Sequence, residues 1–252
     1  PFPVRVPPLP GESLVSMLRR TAAAMGYEGI GRVVALLTDR SRLPPHLNQL
    51  LPGPVFNYLA VLLRQPNEML ASLTVHRFAP SLVLVPRDHR PAEVCNSKTI
   101  LRYFSSSWPV CPSCLRQDEV PYERLLWSFR PVPVCVEHGC VLIAHCPTCQ
   151  RRLRWDRQDV SQCRCGQQLN DVEPLTVSSC GQLLAGRARE SLLGNVRLPP
   201  GMCTSACLWW AERMMAAIRQ TPAWLMEAGQ RAGLAPQQHG DAIAWLAAAE
   251  IC

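Results

Sequence analysis

Lysine is almost absent from this chain of 252 residues: of its 26 basic side chains, only Lys98 is not an arginine. Its positive charge is therefore carried by planar guanidinium forks, which suit bidentate contact with phosphate or carboxylate, although codon bias in a GC-rich genome produces the same count. Also missing is any apolar run of the roughly 18 residues that a membrane-spanning helix needs, in spite of a 48% hydrophobic composition. The opening PFPVRVPPLPGESL is short and proline-rich and carries no secretory apolar segment. The expectation is a soluble, cytoplasmic chain with reduced thiols and no membrane partner. No acidic cluster sits beside an open metal position, and Asp88 and His89 form no catalytic set with other residues. That sets aside a zinc-dependent nuclease, and enzymatic activity with it.

Cysteine, in contrast, is plentiful and spaced. Cys111 and Cys114 form a CxxC, Cys135 and His138 a CxxH, Cys146 and Cys149 a second CxxC, and Cys163 and Cys165 a CxC. Tetrahedral Zn²⁺ takes four soft or borderline donors at about 2.0–2.3 Å, and two tight pairs on separate turns supply them. The spacing predicts two structural Zn²⁺ ions, the first on Cys111, Cys114, Cys135 and His138, the second on Cys146, Cys149, Cys163 and Cys165. Four protein donors leave no position for an activated water. Cys140 and His145 sit beside these ligands and could replace His138 or Cys146; the CxxH spacing favours His138. Cys140 then reads as a packing residue, as do Cys203 and Cys207.

Formal net charge is +7 with every cysteine counted as neutral. Seven thiolates against two dications remove three charges and leave about +4, too little to argue nucleic-acid binding from total charge. The excess lies in residues 1–110, which hold 12 basic and 6 acidic side chains.

The first ten residues hold five prolines and should form an extended arm. Leu14, Met17, Leu18, Thr21, Ala22 and Met25 then mark one face of a helix, with Ser13 or Gly11 to cap it and Gly26 to end it. A second helix is expected around Gly29 to Leu37. The pair is compatible with a helix-turn-helix flanked by Arg19, Arg20 and Arg32, or with an ordinary helical hairpin. Further helices are expected over Val55 to Leu63 and Asn67 to Leu73, and residues 79–97 suggest a boundary. Leu125 to Phe129 reads as a strand, favouring a zinc ribbon. Arg151, Arg152, Arg154 and Arg157 cluster between the second set of ligands and could touch phosphates or an acidic protein surface. Helices are expected over Leu183–Leu193, Cys203–Arg219, Ala223–Arg231 and Asp241–Ala249.

The fold expected is mainly α with small zinc-ribbon β elements. Residues 1–105 would form an N-terminal arm and helix-turn-helix-like domain, 106–174 a tandem zinc module, and 175–252 a C-terminal helical domain.

A proline-rich start, PGESL, a helix with paired arginines, and CPSC…VCVEHGC…CPTC…CRCG together resemble the TniQ family, the group that includes TnsD. The resemblance runs from residue 7 to about 170. It implies a bacterial, non-enzymatic target-site selector in DNA transposition. Such a protein joins a targeting element, either an attachment sequence in DNA or a CRISPR effector complex with its guide RNA, to an AAA+ ATPase regulator of the TnsC/TniB type. It is compatible with a homodimer. The competing reading is a zinc-ribbon transcription regulator that binds one DNA sequence by itself.

Overall fold

A computed structural model describes residues 1–38, 48, 53–78, 104–105, 107–130, 132–177 and 179–193. The helices expected over Cys203–Arg219, Ala223–Arg231 and Asp241–Ala249 lie outside the described residues. The described chain is mostly helical, with one two-stranded sheet.

The proline-rich arm contains no helix, and it docks through Phe2, which is buried and donates its backbone N–H to Leu62 O at 2.8 Å. Helix α1, Leu14–Ala24, starts where Ser13 Oγ accepts the Ser16 N–H, satisfying one of the orphan donors of a helix start. It stops at Gly26, whose φ of +74° suits glycine. Helix α2, Gly31–Thr38, packs back on α1, and α3, Gly53–Leu63, and α4, Asn67–Ser72, follow. Leu14, Met17, Leu18, Ile30, Leu37, Leu59 and Leu70 make one buried cluster.

Helix α1 is buried well beyond its apolar stripe, because Val15, Ser16 and Arg19 are covered as well. The cover comes from the cysteine-bearing half of the chain. Trp108 joins the N-terminal core, Ser13 N–H donates to Glu123 O, and Leu125 N–H donates to Gly11 O. Contacts therefore cross the expected boundary at residue 105.

Leu125–Ser128 is a 3₁₀ helix, not the expected strand. Each face of this short turn meets a different core. Leu125 and Phe129 enter a cluster with Phe78, Phe104 and Val134, while Trp127 enters the cysteine-rich one. A tight turn divides its side chains between two cores without needing a partner strand. The strands present are β1, Val134–Cys135, and β2, Cys140–Val141, antiparallel with Cys135 opposite Cys140. Isolated bridges add Val110 to Ile143, His145 to Arg152 and Gln162 to Gln168.

After the second cysteine unit the chain returns to the first. Val141 N–H donates to Leu175 O, Val177 N–H donates to Gly139 O, and α6, Ser179–Leu192, packs on β1. Contacts thus also span the expected division at residue 175. Among the described residues no helix is long and apolar enough to cross a membrane.

Candidate metal centres

Each predicted ligand pair sits on a compact turn. Cys111 caps a further short helix, α5 (Pro112–Gln117), and its Sγ accepts the Cys114 N–H, so one turn of chain presents both sulfurs. Cys135 ends β1, and the turn to β2 carries His138. That turn closes through Gly139 N–H to Cys135 O at 2.8 Å, with Gly139 at φ +57°. In the second unit Gln150 N–H donates to Cys146 O, and Gly166 N–H donates to Cys163 O with Gly166 at φ +92°.

The turns bring the ligands together. Cys111, Cys114, Cys135 and His138 place their donor atoms within 4.8 Å of one another, and so do Cys146, Cys149, Cys163 and Cys165. Cys114 Sγ lies 3.6 Å from Cys135 Sγ, and His138 Nδ1 lies 3.2, 3.7 and 3.7 Å from the sulfurs of Cys114, Cys111 and Cys135. Cys146 and Cys165 are 3.6 Å apart, and Cys149 and Cys163 are 3.7 Å apart. Zn–S bonds of about 2.3 Å give a tetrahedron with sulfur–sulfur edges of about 3.8 Å. A disulfide would need about 2.05 Å, and all seven cysteines of the two groups, and Cys140 beside them, are free thiols. Donor type, number and separation all fit a tetrahedral thiophilic cation.

Thiols packed this closely compete for negative charge. Hydrogen bonds from Cys114, Cys135 and Cys140 hold Cys111 far below the usual thiol range. Sharing with Cys111 pushes Cys114 far up and Cys135 up to about 11. Burial pushes Cys146 up to about 12, while the Gln167 backbone N–H brings Cys165 down to about 7. A dication supplies the counter-charge under which all four donors of a unit can be deprotonated together.

One neighbour of the first unit, Gln117, escapes a reading of spacing. A metal on His138 Nδ1 leaves Nε2–H to donate to Gln117 Oε1, 2.7 Å away, which fixes the ring. Cys140 is buried with its Sγ 3.4 Å from Cys111 Sγ, yet it stands outside the four-donor group. His145 likewise stands outside both groups.

These local units are held in a larger frame. Arg124 makes a fork to Asp118 at 2.9 and 3.0 Å, reaches Glu137 at 3.4 Å, and stacks over Tyr122 and Trp127. That strap ties the end of α5 to the turn bearing His138.

The arginines expected at a contact surface divide sharply. Arg19 is only 5% exposed, sits 3.1 Å from Glu123 in an ion pair without hydrogen-bond alignment, and donates to the carbonyls of Trp155 and Arg157. Arg157 is 2% exposed and donates to Glu123 Oε1 on that carboxylate's other side. An external contact role for Arg19 and Arg157 does not fit this burial, because both guanidiniums neutralise one internal carboxylate. Arg20 is tied to Glu12 at 2.8 Å. Arg32, Arg151, Arg152 and Arg154 are exposed, Arg32 stacking on Tyr27. Glu123 was missed because nothing local distinguishes it from a solvated glutamate.

With the geometry in view, the comparison with known families decides the identity. The TniQ family model matches residues 3–142. The chain belongs to the TniQ family. The match takes in the arm, the N-terminal helices and the complete first donor group, and it ends four residues before Cys146. The second donor group therefore lies beyond the matched span, and the family match stops short of the resemblance drawn to about residue 170. TniQ membership associates the chain with target selection in transposition. No curated protein sequence matches this TniQ chain.

Proposed function

We propose that this TniQ chain is a non-enzymatic adaptor in transposon target selection. It joins a targeting element, an attachment sequence or a CRISPR RNA-guided effector complex, to an AAA+ ATPase regulator of the TnsC/TniB type. Two Zn²⁺ ions, one per donor group, act as structural staples, since four protein donors around each leave no place for a water nucleophile.

The observation that carries this reading is the family match over 3–142, which covers the N-terminal helical unit and all four donors of the first group. The fate of the N-terminal arginines supports a protein partner over direct reading of bases. Arg19 is spent on Glu123 and Arg20 on Glu12, so α1 offers no free guanidinium for a base edge. DNA contact in this reading is made through phosphates and carries little sequence preference.

The test is a reconstituted transposition reaction with a cognate transposase and AAA+ ATPase. Omitting the chain should abolish insertion at the preferred target. Unchanged target preference without it would contradict the adaptor role.

A further inference from the structure

A cavity of about 230 Å³ lies where the end of the N-terminal arm, the 3₁₀ turn Val75–Phe78, the first cysteine unit and the end of α6 come together. Of the eight donors only Cys135 lines it, so it is not the space a metal would fill.

Its walls are mostly apolar. Phe78 and Trp127 are buried there. Leu126, Val136 and Leu193 line it as well, and these three pack on the aromatic core while part of each stays uncovered. They come from three separate segments, so uncovered apolar surface is gathered in one place instead of being scattered singly.

The charge around it is divided. Arg124 is held by Asp118 and by Glu137, the one carboxylate on the wall. Arg77 and Arg189 also line the cavity, and neither side chain has a hydrogen bond or ion pair among the described residues. Arg189 is half-buried and stands one helical turn before Leu193, whose N–H donates to Arg189 O at 3.0 Å. A guanidinium and an apolar side chain thus share one face at the end of α6. Two unspent guanidiniums beside uncovered apolar surface are complementary to carboxylates that flank an apolar group.

Size decides what kind of body carries those groups. The cavity is smaller than the roughly 300–1,000 Å³ that encloses a whole small ligand. It suits a single apolar side chain of a larger body, an anchor of the kind found at the centre of protein interfaces. A nucleic acid fits poorly, because the walls are mostly apolar and Glu137, 44% exposed, would meet its phosphates.

We infer that this cavity is a docking site for a protein segment that carries an apolar side chain flanked by carboxylates. The apolar group enters among Leu126, Val136 and Leu193, and the carboxylates meet Arg77 and Arg189. The inference goes beyond the adaptor reading and does not rest on it.

The test uses the full zinc-loaded chain and short synthetic peptides, each with one leucine or phenylalanine between glutamates. Matched controls replace the glutamates by glutamine or by lysine, or the apolar residue by serine. In methyl-resolved spectra the glutamate peptides should shift Leu126, Val136 and Leu193, and the glutamine and serine controls should bind roughly tenfold more weakly. Arg77 is exposed and Arg189 only half-buried, so both can be replaced with the fold kept, checked as two zinc ions per chain. Arg77→Gln/Arg189→Gln should lose roughly tenfold for the glutamate peptides and nothing for the glutamine control. Arg77→Glu/Arg189→Glu should prefer the lysine peptides, an inversion that a merely structural role would not produce. Methyl resonances that no peptide moves, equal binding of glutamate and glutamine peptides, or variants that bind like the parent would overturn the inference. The same methyl shifts on raising the chain concentration without peptide would give the face to a second copy and overturn the partner assigned to it.

Discussion

Arg19 on the first helix and Glu123 in the segment between the first two ligand pairs meet at 3.1 Å, with side chains only 6% and 3% exposed. Arg157 holds the same carboxylate from the other side. One glutamate thus pairs with two buried guanidiniums that lie far apart in sequence, and the helical unit is locked to the second cysteine unit. Burial is hard on these charges: it brings Arg157 down to about 10, and the Glu123 carboxylate works against that fall.

Removing the carboxylate should therefore be severe. Glu123→Ala leaves two uncompensated buried cations, a loss of the kind that costs about 3–5 kcal/mol. In a chain of this size the melting temperature should fall by about 10 °C, read by calorimetry on zinc-loaded protein. A shift within a degree or two would show that the triad contributes nothing to the union of the two halves.

How much of this was legible in the sequence depends on the range of the interaction. The donor groups could be read because coordination fixes ligand type and local spacing, and the turns at Cys111–Cys114 and Cys163–Cys165 are short-range objects. The apolar face of α1 was legible through its period. Its buried Ser16 and Arg19 were not: Ser16 donates to nearby Glu12 but also accepts the Glu123 N–H, and Arg19 meets Glu123 and the carbonyls of Trp155 and Arg157, all more than 100 positions away. The turn at Leu125–Ser128 was misread for a related reason: alternation along five residues looks the same whether a sheet or two separate cores receive the side chains.

Metal content follows from the two donor groups. The purified chain should carry two Zn²⁺, and Cys114→Ser and Cys149→Ser should each lose one. A structural zinc contributes on the order of 10 kcal/mol to folding of such small units, so chelation should unfold the region around both. Elemental analysis returning one ion or none from the parent would remove the two-site assignment.

The fourth ligand of the first unit has its own test. His138 stands inside the donor group and Cys140 outside it, 3.4 Å from Cys111. His138→Ala should lose one zinc, while Cys140→Ser should keep both. The opposite pair of results would give the position to Cys140.

Glu12 provides a test by pH. Burial raises its carboxyl above the ordinary value of 4.5, against the pull of the Leu9 N–H and Arg20. A raised folded-state pKa means that the native state holds the proton more tightly than the unfolded chain. The associated stability is fully present below 4.5 and is lost as pH rises through the folded value. Relative to Glu12→Gln, the parent should therefore gain stability as pH falls from neutral toward that window, measured by denaturant unfolding where both proteins retain zinc. A parent that instead loses ground to the variant over this interval would show that the contacts from Leu9 and Arg20 outweigh burial.

The adaptor reading is tested most directly by assembly with a cognate AAA+ ATPase of the TnsC/TniB type. The measurement is co-purification of the two proteins with nucleotide and DNA present, alongside DNA binding by the isolated chain at two salt concentrations. The account predicts a complex with the ATPase, and DNA binding by the chain alone that is weak, falls steeply with salt and shows little sequence preference. A chain that ignores the ATPase and binds one sequence at nanomolar affinity in physiological salt would contradict it and identify a transcription regulator instead.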